Sequence, residues 1–101
     1  MVDRAPADTR TVAVTVRYFA AARAAAGVTE ETVSVPADAA PGPDLLTCVG
    51  VVVAAAGERH PDLSRVLPRC SFLLDEVAVH GPDTAVRGGQ VIDVLPPFAG
   101  G

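Results

Sequence analysis

Apolar and polar residues alternate from Val12 to Phe19. Val12, Val14, Val16 and Tyr18 fall on one side, and Ala13, Thr15, Arg17 and Phe19 on the other. A period of two with β-branched enrichment predicts a strand. Ala13 and Phe19 give the second side some apolar character, so both faces are expected to be partly covered, as in a central strand. Ala20 to Ala26 is alanine-rich around Arg23 and is followed by Gly27, which predicts a short helix stopped by a glycine. Alternation returns at Thr32–Val35, a second strand expected to pair antiparallel with the first and to end at Pro36.

The pattern is least regular from Ala37 to Thr47, where Pro41-Gly42-Pro43 dictates a loop and Leu45 and Leu46 fold back onto the body. Val49 to Arg59 holds two competing signals. Three consecutive valines favour a strand, whereas the length, the Ala54-Ala55-Ala56 run and the following charged residues favour an amphipathic helix. The reading taken is a helix with its start capped near Thr47 and its end fixed by Pro61. Leu63, Val66 and Leu67 then form an apolar turn or one further helical turn. Ser71–Leu74 and Val77–His80 are short strands around an Asp75-Glu76 hairpin turn. After the Gly81-Pro82-Asp83 loop and the Arg87–Gln90 turn, Val91–Leu95 is the last strand, ended by Pro96-Pro97. One main helix crossing a small mixed sheet, with the first and last strands parallel at its centre, is an α+β fold of the β-grasp, or ubiquitin-like, type. The domain is expected over residues 11–97, between a disordered tail at 1–10 and a flexible tail at 98–101.

Composition sharpens this picture. The chain has 101 residues and is 50% apolar, enough for one small domain with a core. With only Tyr18, Phe19, Phe72 and Phe98 as aromatics, Val, Ala and Leu must fill the interior. A net charge of −4 without a basic block excludes an electrostatic nucleic-acid binder. No apolar run is long enough to cross a bilayer and no signal peptide is visible, so a cytoplasmic protein is expected. Cys48 and Cys70 are too few for a disulfide framework and are not spaced as a metal pair; each is expected to be a buried small apolar residue. His60 and His80 have no evident metal partners, so no metal site is expected. All eight basic residues are arginine. Codon usage in a GC-rich genome accounts for this, and so would a need to keep amines away from an activated carboxyl group.

The chemistry is concentrated in Pro96-Pro97-Phe98-Ala99-Gly100-Gly101. Two final glycines arise by chance in roughly one chain in 200 at an average glycine usage of about 7%. Proline fixes φ and projects the chain away from a sheet, and glycine lets a tail thread a narrow tunnel. Such a tail suits an enzyme that must reach a C-terminal carboxylate.

With Val14-Thr15-Val16-Arg17-Tyr18-Phe19-Ala20, Ala22-Arg23 through Gly27, Glu58-Arg59-His60-Pro61 and the Pro-Pro-Phe-Ala-Gly-Gly ending, the chain resembles the MoaD/ThiS family of sulfur carriers, and within it the molybdopterin synthase branch. The resemblance runs over nearly everything from Val12 onward. It implies that Gly101 is adenylated and converted to a thiocarboxylate, with Gly100 giving passage. The partners implied are an E1-like adenylating enzyme that holds ATP and Mg²⁺, a desulfurase or rhodanese-type sulfur donor, and the large molybdopterin synthase subunit, which would carry the catalytic side chains and turn a pterin precursor into molybdopterin. This chain would supply the sulfur and bind no cofactor of its own. Phe19 and Arg23 match partner-facing positions, though core packing of Phe19 and a solvated Arg23 are open alternatives. Leu95, Pro97, Phe98 and Ala99 would form a docking patch beside the tail. Three departures from the family pattern are a longer Ala37–Thr47 loop, Gly88-Gly89-Gln90 in place of an acidic turn, and Asp75 where asparagine is common. Other destinations for the sulfur (cysteine, thiamin or a thiolated natural product) and a ubiquitin-like protein modifier share the same tail chemistry.

Overall fold

The computed structural model describes residues 11–37 and 46–97; the two predicted tails and most of the predicted Ala37–Thr47 loop lie outside them. Its main sheet has five strands: β1 (Thr11–Tyr18), β2 (Glu30–Pro36), β4 (Ser71–Leu74), β5 (Val77–Ala78) and β7 (Val91–Leu95), in the order β2-β1-β7-β4-β5. β1 pairs antiparallel with β2, with Val14 opposite Val33, and parallel with β7, with Val16 opposite Ile92. β7 also pairs antiparallel with β4, Phe72 facing Val94. The first and last strands therefore lie side by side near the middle, as the alternation predicts.

One face of this sheet is dry. Val12, Val14, Val16 and Tyr18 of β1, Val33 and Val35 of β2 and Ile92 and Val94 of β7 are all buried there. Burying one such side chain contributes about 2 kcal/mol, so the alternation alone selects which way the sheet faces. The helix α1 (Ala20–Ala26) closes one end, burying Ala22 and Ala26. Gly27 ends it at φ +79°, its N–H returning to the Arg23 carbonyl at 2.9 Å. That is the left-handed helix ending glycine favours.

The Val49–Arg59 segment is the helix α2, and its burial shows why. Val49, Val52, Ala56 and Gly57 are buried while Val51 is 42% exposed, a spacing of three and four rather than two. Its predicted cap is corrected. Cys48 holds the cap position without a side-chain hydrogen bond, and the N–H groups of Val49 and Gly50 donate to the carbonyls of Thr84 and Pro82, at 3.0 and 2.8 Å. A neighbouring loop thus satisfies the orphan donors that a threonine was expected to serve. Thr47 is instead buried, and its Oγ1 has no hydrogen-bond partner among the described residues.

Several other expectations shift. The last part of the predicted 37–47 loop is a strand, β3 (Leu46–Cys48), which pairs antiparallel with β6 (Ala85–Arg87) in a separate two-stranded sheet. Leu63 is wholly buried in a helix of its own, α3 (Pro61–Val66), continued by a 3₁₀ turn over Leu67–Arg69, so α2 is not the only helix on the sheet. β2 starts two residues earlier than predicted, and β5 stops at Ala78 rather than His80. Cys48 and Cys70 are half-buried, not buried. The Cys70 thiol donates to the Val66 carbonyl at 3.3 Å, and burial pushes its pKa up.

Two turns keep their predicted form. Asp75 and Glu76 take φ of +47° and +70°, both positive as a two-residue hairpin turn demands. The Asp75 carboxylate accepts from Val91 N–H and from Gln90 Nε2, both at 2.9 Å, tying the hairpin to the start of β7. Gly89 sits at φ +88° and donates to the Ala13 carbonyl at 2.9 Å.

Glu31 joins three elements. Its carboxylate accepts from Tyr18 Oη at 2.6 Å, from Arg59 at 3.0 Å and from His60 Nε2 at 2.7 Å, linking β1, β2 and the end of α2. Burial alone would raise the Glu31 pKa, but these three hydrogen bonds outweigh it and hold it below the ordinary 4.5. A depressed carboxylate contributes stability that is complete above its unfolded pKa and disappears as the pH falls through the folded one. Glu31→Gln is therefore expected to lower stability by about 2 kcal/mol at pH 7, since hydrogen bonds to charged groups are worth roughly that much. The deficit should shrink below pH 4.5. Urea denaturation at pH 7 and pH 3.5 checks this, and an equal deficit at both values would refute it.

Candidate functional site

Successive residues of β1 point to opposite faces of the sheet. The face turned away from the helices carries Thr15 and Arg17 of β1, Val91, Asp93 and Leu95 of β7, and Leu73 of β4, according to the strand registers. Phe19 extends that series. Its backbone is extended, at φ −126° and ψ 149°, and its N–H donates to the Val94 carbonyl at 3.3 Å. The parallel ladder thereby runs one step beyond Tyr18 and sets Phe19 next to Leu95, where β7 delivers the chain to Pro96-Pro97.

Phe19 is 40% exposed, so the core alternative falls away. The Phe19 carbonyl begins α1, accepting from Ala22 and Arg23 N–H at 3.0 and 3.3 Å. Arg23 is exposed and lines a shallow pocket of about 430 Å³ with Ala20, Ala24, Gly27, Val28 and Thr29. Leu95 is half-buried and Pro97 exposed. The structure thus brings Phe19, Leu95 and Pro97 to one end of the sheet, with Arg23 on the adjoining helix. Phe98, Ala99, Gly100 and Gly101 lie outside the described residues.

The centre of this face holds an ion pair that sequence reasoning missed. Arg17 Nε donates to Asp93 Oδ1 at 2.5 Å and Nη2 to Oδ2 at 2.8 Å. The two-point contact raises the Arg17 pKa further, through the hydrogen bonds first and the charge second. Asp93 is only 5% exposed. The signal available in the sequence was a lone acid inside the otherwise apolar Val91–Leu95 run, which demands a cationic partner.

A larger open groove of about 910 Å³ lies between α2, α3 and β4, walled by Val53, Leu67, Cys70, Phe72 and Val79 among others. Of the predicted site residues that the structure describes, Phe19, Arg23, Leu95 and Pro97, none lines it. Among the described residues no three His, Cys, Asp or Glu side chains converge as a metal site, and no helix is long and apolar enough to cross a membrane.

A five-stranded mixed sheet grasping a helix, with an exposed aromatic beside the last strand, defines a ubiquitin-like β-grasp domain. Residues 16–101 match the model of the ThiS family, and the chain belongs to that family as a sulfur carrier of the MoaD/ThiS type. It is 36% identical over 89 residues to a molybdopterin synthase sulfur carrier subunit from Chlamydomonas reinhardtii, covering 87% of this chain and 98% of that one. The fold matches small archaeal modifier protein 1 from Haloferax volcanii with a TM-score of 0.73 and 25% identity, over 88% of this chain and 99% of that one. It also matches a chain from the complex of subunits 1 and 2 of the molybdopterin-converting factor of Helicobacter pylori, with a TM-score of 0.55 and 23% identity over 89% and 100% of the two chains, a likeness of fold alone.

The junction that carries Phe19 is strained. Ala20 sits at φ +51°, a conformation that a residue with a Cβ rarely adopts. Ala20→Gly is expected to raise stability by about 1 kcal/mol, because glycine occupies this region without steric conflict. The shift in urea midpoint measures it. A loss of stability would show that the helix preference of alanine outweighs the strain.

Proposed function

We propose that this chain is the sulfur-donating subunit of a molybdopterin synthase, and that the Gly101 carboxylate is its reacting group. The observation that carries the reading is the placement of Leu95 and Pro97. The central strand hands the chain toward Gly100-Gly101 beside the exposed Phe19, so a partner docked there reaches the tail without disturbing the core. The 36% identity to a molybdopterin synthase sulfur carrier subunit over most of both chains supports the destination of the sulfur.

The chemistry follows from the carboxylate. It is a weak electrophile until an E1-like partner, holding ATP and Mg²⁺, converts it to an acyl-adenylate and releases pyrophosphate. A persulfide sulfur from a desulfurase or rhodanese-type donor then attacks the acyl carbon, and AMP leaves. Reductive cleavage of the remaining S–S bond by a thiol leaves the thiocarboxylate. The large synthase subunit receives the tail, and its side chains direct sulfur onto the pterin precursor. In this scheme Gly100 lets the tail pass, Phe19, Leu95, Pro97, Phe98 and Ala99 form the apolar contact, and Arg23 contributes a charge at its margin. The chain itself acts as a co-substrate rather than a catalyst.

A second reading draws on the likeness to small archaeal modifier protein 1. There the same activated carboxylate would be joined to lysine amines of other proteins. One experiment separates the two. The chain is incubated with an E1-like enzyme, ATP and a sulfur donor, and its intact mass is measured. A gain equal to sulfur minus oxygen, absent when Gly101 is deleted, is the result expected of a carrier. Amide adducts on added lysine-containing proteins, with no such gain, would favour the modifier. No change at all would refute both.

A further inference from the structure

The Arg17–Asp93 pair is not explained by folding alone. The two residues face each other across the parallel β1–β7 pair, and Leu73 stands opposite Asp93 on its other flank. Asp93 is therefore enclosed on the face turned away from the helices, although its strand neighbours on that face, Val91 and Leu95, are apolar. An enclosed carboxylate is costly to desolvate, while the Arg17 side chain is 37% exposed, so this partly buried pair contributes little net stability. The pair does something a leucine pair would not: it fixes a planar guanidinium in one orientation by two parallel hydrogen bonds. That guanidinium carbon lies 6.0 Å from the centroid of the Phe19 ring, two residues further along the same face. Asp93, Arg17, Phe19 and Leu95 thus share one face of the sheet at the end of β7.

We propose that Asp93 and Arg17 are positioning residues for docking: the pair holds the Phe19 ring in place and pre-organises the Phe19–Leu95 surface for the activating enzyme. The inference rests on the carrier reading above. An exposed aromatic side chain samples several rotamers, and ordering it only on binding lowers affinity. Asp93 orders Arg17, and Arg17 orders Phe19 in advance.

The test begins with the free protein. In the wild-type chain the Arg17 Nε–H should exchange slowly with solvent and the Phe19 ring should show nuclear Overhauser contacts to the Arg17 side chain; in Asp93→Asn both should vanish while the amide spectrum stays folded. The second measurement is carrier-dependent ATP–pyrophosphate exchange by an E1-like enzyme. Asp93→Asn is expected to raise KM for the carrier about tenfold, equivalent to about 1.4 kcal/mol, with kcat changed less than twofold. Phe19→Ala should raise KM by at least as much, and Asp93→Asn added to Phe19→Ala should raise it little further, because both act through one ring. Should Asp93→Asn fail to fold, the apolar double variant Arg17→Met/Asp93→Leu removes both charges together, leaves no unpaired carboxylate, and should show the same rise in KM. Additive effects, or an unchanged KM in either variant, overturn the proposal while leaving the carrier reading intact. Absence of exchange with the wild-type chain sinks the carrier reading, and the docking role falls with it.

Discussion

The parallel pairing of β1 with β7 is the constraint on which the rest depends. It places the strands that begin and end the described domain side by side near the middle of the sheet. β2 can then flank only β1, β4 can flank only β7, and the helices must cover the face on which Val12, Val14, Val16, Ile92 and Val94 converge. The same pairing aligns Arg17 with Asp93 and Phe19 with Leu95. A sheet built for packing thereby carries the Arg17–Asp93 pair and the exposed Phe19 on its reverse, and one register decides both.

The Glu31 network complements that pairing at the other edge. Tyr18 is the last residue of β1, and its hydroxyl reaches Glu31 on β2, which also accepts from Arg59 and His60 where α2 gives way to α3. His60 lies edge-on to Tyr18, with ring centroids 6.2 Å apart. These contacts fix the end of β1 from beneath, while Arg17 and Asp93 fix it from above. The exposed Phe19 projects from a backbone held on both sides.

Most of this fold is legible in the sequence, because its signals are local. Alternation from Val12 onward, glycine after the alanine run, paired turn residues at Asp75-Glu76 and proline after Arg59 each act within a few residues. The elements that escaped are those whose cause lies elsewhere in the chain. β3 and β6 are three residues each, too short for a period to show, and they exist because Thr47 meets Val86 across the fold. The start of α2 is capped by carbonyls of a loop more than thirty residues away. Leu63, Val66 and Leu67 were recognised as apolar, but their arrangement as a separate helix depends on the space beside α2. At the candidate site, Phe19, Arg23, Leu95 and Pro97 were found through motif resemblance, not periodicity. Asp93 was visible as an acid in an apolar strand, but its partner could be named only after β1 and β7 were set in register.

The pairing of β1 with β7 also governs when the domain can form. Arg17 and Asp93 are separated by 76 positions, so the central contacts close a loop that spans most of the described chain. Contacts of such long range slow folding, because the loop entropy is lost before the sheet repays it. During synthesis the Val-rich face of β1 has no partner on one side until β7 has left the ribosome, and an unpaired apolar strand is a target for aggregation and for proteases. A chain interrupted before Val91 lacks that partner strand altogether and leaves Arg17 without Asp93. Chain completion is thus coupled to formation of the sheet centre, and a product truncated there leaves one edge of β1 unpaired.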